Sequence, residues 1–268
     1  MKRVWIDTDI GTNPDDATAL IFAVKHPQIE LLGVSISGSS QEKRKEEALN
    51  LLSYLEADVP VYLGEELESR HLDNVEHTVA IGPLTNIARL ILDDCFLGHL
   101  HIMGGVFSPL QYRGKEVNSD SNTAKDKEAT RIVLSQYENI TLSPLEVTAG
   151  LVLDGPQLEQ VQNRNVLLKN RYDGYREHLE TKFGAEHNQI VLHDILPICD
   201  LLGLPSIARK SSEFRIQADG TFLDSQLPSS QAVPMVQNPE GVPTPVVRCQ
   251  VISEVDYKKA MSELLQFL

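Results

Sequence analysis

Positive charge is scarce in this chain. Its 268 residues carry 24 Lys and Arg against 38 Asp and Glu, a formal net charge of −14. A surface that tracks nucleic-acid phosphates needs clustered Lys and Arg, so this balance argues against a nucleic-acid partner. The one basic run, Lys43-Arg44-Lys45, sits between Glu42 and Glu46-Glu47 and reads as a solvated helix face. Cysteine is equally sparse. Cys95, Cys199 and Cys249 are far apart and none has CxxC spacing, which argues against a cysteine-rich zinc site or a disulfide framework. No apolar run approaches the ~20 residues that span a bilayer. The opening MKRVWIDTD has no apolar stretch of signal-peptide length. No membrane partner and a cytoplasmic location are therefore expected. Internal repeats and low-complexity linkers are absent too, so residues 1–268 are expected to form one domain.

What the chain does have is acid in one place. Val4–Leu20 reads VWIDTDIGTNPDDATAL. A short apolar strand, Val4-Trp5-Ile6, runs into Asp7, Asp9, Asp15 and Asp16, with Gly11 and Pro14 shaping the turn between them. Carboxylates this crowded repel one another. A hard cation offsets the repulsion, because such ions take oxygen ligands. A loop that merely caps a helix accounts for Asp15 or Asp16, but not for Asp7 and Asp9 at a strand end.

Hydrophobic periodicity fills in the rest. Asp15–His26 repeats Ala17, Leu20, Ile21 and Val24 at helical spacing. Ile29–Ser37 is almost continuously apolar, the mark of a strand covered on both faces. Further strands are expected at Val59–Tyr62, Val75–Ile81, Leu100–Met103, Ile140–Ser143 and Val246–Ser253. Helices are expected at Ser39–Ala57, Leu84–Leu92, Ala124–Ser135, Gly155–Leu168, Asn170–Phe183, His193–Leu202 and Val255–Leu268. Phe214–Ile216, Asp219-Gly220 and Thr221–Leu223 read as a β-hairpin. This alternation predicts an α/β fold: one domain with a mostly parallel, Rossmann-like open sheet flanked by helices, and a small hairpin region near the C-terminus. In such sheets the strand C-terminal ends share one rim, where ligands bind.

Polar residues collect at those strand ends. Beside the Asp group come Ser37-Gly38-Ser39, Gly82-Pro83-Leu84-Thr85-Asn86, Met103-Gly104-Gly105, Asp120-Ser121-Asn122 and, much later, His193-Asp194. Each alone reads equally as a turn or a helix cap. Together they put carboxylates, amides and one imidazole where a small-molecule site is expected.

The order of these blocks resembles the nucleoside hydrolase family of the inosine–uridine-preferring type. DTDIGTNPDDATAL is similar to its Asp-rich signature, AIGPLTNIARL to its second block and HIMGGV to its third. DSNTAKDKEA resembles the block that supplies ribose contacts, and LHDILPICDLLGLP the late His-Asp helix. The resemblance implies calcium-dependent hydrolysis of the N-glycosidic bond of a nucleoside substrate to free base and ribose, by a homodimer or homotetramer. It implies calcium ligands at Asp9, Asp16, Asp194 and the main-chain carbonyl of Thr85, with Asp7 in support. It implies Asp9 as the base that activates water and His193 as a general acid beside the leaving base. Asp15, Asn122, Asp120, Met103 and Ser39 would face the substrate.

Some positions depart from the family pattern. Ser39 stands where the family has Asn, and Asp120 where it has Glu. Lys115 follows Gly114 where a Gly-Asn pair is usual, after an extended Ser108–Arg113 loop. The chain is also short between Gly64 and Val75. The metal half of the site is thus kept while the 5′ and mouth half is altered, which implies a modified substrate or a weakened enzyme. Tyr172, Tyr175, His178 and Phe183 lie just before the His-Asp helix, where the resemblance implies residues that close over the base; their spacing also reads as a half-buried helix face, the reading favoured here. Two rivals remain at this point: a haloacid dehalogenase-type phosphatase using Asp7 and Asp9, and a calcium- and ribose-binding protein without turnover.

Overall fold

The computed structural model describes residues 1–11, 13–217, 219–224 and 246–268. Thr12, within the Asp-rich loop, lies outside them. The first half alternates as expected: β1 Lys2–Thr8, α1 Pro14–Lys25, β2 Ile29–Ile36, α2 Gln41–Tyr54, β3 Val61–Leu63, β4 His77–Ala80, α3 Thr85–Leu92 and β5 His99–Met103. A two-strand ribbon follows, β6 Leu110–Tyr112 and β7 Lys115–Val117. Then come α4 Ser121–Lys125, α5 Lys127–Gln136, β8 Ile140–Ser143, α6 Leu145–Thr148 and β9 Val152–Leu153. The later chain adds α7 Gly155–Arg164, α8 Val166–Phe183, β10 Ile190–Val191, α9 Leu196–Leu202, β11 Ile207–Ile216, β12 Phe222–Asp224, β13 Val246–Val255 and α10 Tyr257–Leu264.

Nine strands form one sheet in the order β12-β11-β13-β8-β5-β4-β1-β2-β3. From β3 to β13 every neighbour is parallel, and β11 is antiparallel to both β13 and β12. The chain order reverses between β1 and β4, so the crevice of this α/β fold opens at their C-terminal ends. The sheet is apolar on both faces because helices cover both. Val4 and Ile6 of β1 pack into one core with α1, while Trp5 between them packs into the other with α3 and α5. That alternation is the two-residue period of a strand.

Two expected helices are each broken by a cap. Asp126 accepts a hydrogen bond from Ala129 N and separates α4 from α5. Asn165 accepts one from Leu168 N and separates α7 from α8. An Asx side chain competes with the helical backbone in this way. The ribbon β6–β7 was expected as loop. Arg113 and Gly114, with φ of 50° and 72°, form its two-residue turn, the left-handed pair that matches hairpin twist.

Below the sheet, Asp200 of α9 accepts a hydrogen bond from His101 Nδ1 of β5 at 2.6 Å and is paired with Arg209 of β11. These bonds anchor α9, whose N-terminal approach carries His193 and Asp194. Among the described residues no helix is long and apolar enough to cross a membrane.

Candidate active site

A cavity of about 540 Å³ lies at the β1/β4 crevice. Asp9, Asp15, Asp16, Met103, Asp120, Asn122, His193 and Asp194 all line it. The backbone packs tightly beneath. A Cβ on Gly82 would meet Ser37 Oγ at 2.3 Å and Asp9 N at 2.8 Å, so only glycine lets the end of β4 lie against the Asp9 loop.

The carboxylates differ in their surroundings. Asp15, Asp16 and Asp194 are buried and can bring one oxygen each within 4.8 Å of the others. Burial pushes Asp15 up to about 7, and its carboxyl hydrogen-bonds that of Asp194. Asp16 is pushed well above the carboxylate range, first by burial and then by the charges of Asp9 and Asp15. Thr8 Oγ1 donates to Asp16 Oδ1 at 2.5 Å. Asp194 is raised likewise by burial and by Asp15 and Asp16. Asp9 differs: Lys125 Nζ donates to its Oδ2 at 2.5 Å and Arg44 Nη2 lies 3.7 Å away. The resemblance pointed to Asp9, Asp16 and Asp194 as the cluster, with Asp15 on the sugar; the tight triad here contains Asp15 instead of Asp9.

Asp7 lies beneath the floor and is fully buried. Ser35 Oγ and Asn86 Nδ2 donate to its Oδ2 at 2.5 and 2.8 Å, and its Oδ1 has no partner. Burial raises it to about 6. A carboxylate so enclosed cannot attack a phosphate, which removes the phosphatase reading. Thr85 is exposed at the start of α3, outside the cavity wall, where its hydroxyl donates to Asp126 at 2.6 Å. Ser39 meets Arg44 Nε through its carbonyl at 2.7 Å and does not line the cavity. Asp120 caps α4, accepting from Asn122 N and Thr123 N on Oδ1 and from Gly105 N on Oδ2. Asn122 Nδ2 donates to Ile81 O at 3.0 Å, which fixes its amide beside the end of β4.

His193 is buried, with Tyr112 OH 2.7 Å from Nε2 and Thr148 Oγ1 2.9 Å from Nδ1. Burial, then the Arg113 charge, pushes it down to about 3, so the ring is neutral. It can pass a hydrogen bond along but holds no imidazolium proton to give. Burial raises Tyr112 to about 12. Tyr112, Lys125 and Arg44 are the site residues that pattern reading missed. For Tyr112 the signal was present: Leu110 and Tyr112 alternate into Arg113-Gly114, a hairpin turn. For Arg44 it was hidden, because a Lys-Arg-Lys run flanked by glutamates reads as solvated surface.

The family model described as inosine-uridine preferring nucleoside hydrolase matches residues 4–77 and 72–262. The non-specific ribonucleoside hydrolase RihC of Shigella boydii serotype 4 (strain Sb227) is 28% identical over 271 residues, covering 82% of this chain and 85% of its own. Among solved structures, a purine-preferring ribonucleoside hydrolase from Gardnerella vaginalis superposes with a TM-score of 0.76 at 19% identity, over 99% of this chain and 98% of its own. A plant nucleoside hydrolase does so at 0.75 and 22%, over 99% and 98%. At these identities the structural likeness speaks for the fold.

Proposed function

The chain belongs to the inosine-uridine preferring nucleoside hydrolase family, and from that premise we propose that it is an N-ribohydrolase cleaving the N-glycosidic bond of ribonucleosides to free base and ribose. One observation carries the reading: a single cavity is lined both by three crowded, buried carboxylates and by the hydrogen-bonded pair Tyr112–His193.

The donor set fits a hard divalent cation. All its atoms are oxygens, and burial, with added repulsion from neighbouring carboxylates including Asp9, raises every carboxyl of the triad. The partnerless Oδ1 of Asn13, which also lines the cavity, adds another oxygen. Calcium is the ion we assign; Asp15, Asp16 and Asp194 would hold it, with Asp9 beside them. When bound, it would supply positive charge that acidifies a water and attracts the cis-diol of a ribose. Asp9 takes the proton as water attacks C1′, and Lys125 holds its carboxylate toward the cavity. The buried carboxylates stabilise the positive charge that grows on the sugar ring. Tyr112, steadied by neutral His193 and Thr148, offers a hydrogen bond to the departing base.

The test is release of reducing sugar from purine and pyrimidine ribonucleosides, with and without chelator. Turnover that calcium restores and Asp194→Asn abolishes is expected. The Lys125 and Arg44 contacts to Asp9 favour a second reading, a member that binds calcium and ribose without turnover. Binding of both with no sugar released from any nucleoside would decide for it.

A further inference from the structure

The chain has 14 more acidic than basic residues, yet five cations reach one cavity: Arg44, Arg113, Lys115, Lys125 and Lys182. Two are accounted for, because Arg44 and Lys125 face Asp9. Among the described residues the other three are ion-paired with no carboxylate. They nevertheless gather round one ring. Arg113 Cζ, Lys115 Nζ and Lys182 Nζ lie 6.0, 5.3 and 5.2 Å from the centre of Phe183. Arg113 is further held against Tyr112 and Tyr175, at 5.3 and 5.7 Å, and its guanidinium lies 3.4 Å from Tyr175 OH.

Lone lysines at a surface are ordinarily just solvated. This arrangement differs in two ways. The cations come from two segments remote in sequence, the β6–β7 turn and the end of α8, and they converge where both border the cavity. Three like charges about one ring also repel, and a cation–π contact of about 0.5–1 kcal/mol at an exposed site offsets little of that. An anion does so directly. A neutral nucleoside has no group that uses three cations. A phosphate monoester carries about −1.5 to −2 at neutral pH and three acceptor oxygens, matching the trio better than a single carboxylate would.

We propose that Arg113, Lys115 and Lys182 form a phosphate subsite, and that the substrate is a ribonucleoside monophosphate. The inference rests on the hydrolase reading above. The sugar lies over Asp15, Asp16 and Asp194, and the phosphate bridges the β6–β7 turn to the end of α8. Chemistry stays at C1′. The bond from C1′ to the base nitrogen breaks, water oxygen bonds to C1′, and the base leaves with a proton. The phosphate ester is untouched, so the product is ribose phosphate. The cavity, at about 540 Å³, falls within the range of small-molecule sites.

Sugar release is measured for inosine and uridine and for their 5′- and 3′-monophosphates, at low and high salt. The 5′-monophosphate is expected to exceed its nucleoside in kcat/KM by at least about tenfold, the size of one good charge-assisted contact. The 3′ isomer, whose ester blocks the cis-diol, should not gain. The advantage should shrink with salt and collapse in the double variant Lys115→Met, Lys182→Met. A nucleoside preferred over its 5′-monophosphate, a gain confined to the 3′ isomer, or an advantage unchanged in the double variant, overturns the proposal. If nothing is cleaved, the hydrolase reading has failed and calorimetry decides the subsite alone. Inosine monophosphate binding more tightly than inosine, with the difference lost in the double variant, supports it. Equal binding overturns it.

Discussion

Asp7 lends itself to a quantitative test. It is wholly buried under the active-site floor, and burial raises it from its ordinary 3.8 to about 6. The sign follows from linkage. An acid whose folded value is raised favours the fold below its unfolded value, and that contribution is lost as pH rises through the folded value. Near pH 4 Asp7 therefore costs almost nothing, whereas at pH 8 the buried charge costs about 3 kcal/mol. Asp7→Asn removes the charge and keeps the shape. Its Oδ1 can still accept from Ser35 and Asn86, and the extra strength these bonds have toward a carboxylate is already counted in that net shift. The variant should therefore gain about 3 kcal/mol at pH 8, which raises Tm by roughly 6–12 °C for a chain of this size. Thermal melts in chelator at pH 5 and pH 8 measure it. The variant should gain on wild type as pH rises, and added calcium should narrow the gap by offsetting the field of the Asp cluster. A variant no more stable than wild type at pH 8, with the same difference at pH 5, would refute the reasoning.

Other outcomes follow from the same geometry. Asp16→Asn and Asp194→Asn should each lower nucleoside turnover by about a hundredfold or more, since each removes one of three crowded charges facing the sugar; steady-state sugar release reads this. Tyr112→Phe should lower kcat about tenfold for natural bases, the worth of one hydrogen bond to the leaving group. With a p-nitrophenyl riboside, whose leaving group needs no such help, that deficit should disappear. Asp200 sits below its ordinary value: burial opposes this, but the bond from His101 and the Arg209 charge outweigh it. Its stabilising share is present above the ordinary carboxyl range and lost as pH falls through the depressed value. Asp200→Ala should therefore lower Tm at pH 7, with the difference from wild type shrinking in acid.

Much of the fold could be read in advance because β1, β2, β4, β5 and β8 are short apolar runs between turn signals. That pattern is dictated by burial on both faces. The parallel run of the strands, with their C-terminal ends on one rim, followed from the alternation with helices; their order in the sheet did not. The misses have physical causes. Asp126 and Asn165 end helices by capping the next one, and a periodicity window spans such a break. β11 begins at Ile207, seven residues before the expected strand, because Ala208–Ser211 are exposed and carry no apolar alternation. At the site, Asp15, Asp16, Asp194, Asn122 and His193 were all legible as residues at strand and helix ends. Their partners were not. That Lys125 reaches Asp9 and that Asp120 is spent on a helix cap depend on side-chain directions that one-dimensional spacing does not carry.

The acidic floor is closed by residues from opposite halves of the chain. Asp15 and Asp16 are synthesised early, while Asp194 follows only after every parallel strand but β13 has been made. Contacts so distant in sequence form late in folding. A nascent or truncated chain thus exposes an acidic loop without its third carboxylate. On the metal site proposed above, competence for the ion would arrive only when the segment bearing His193 and Asp194 docks on α1, which would make ion loading a late event in maturation.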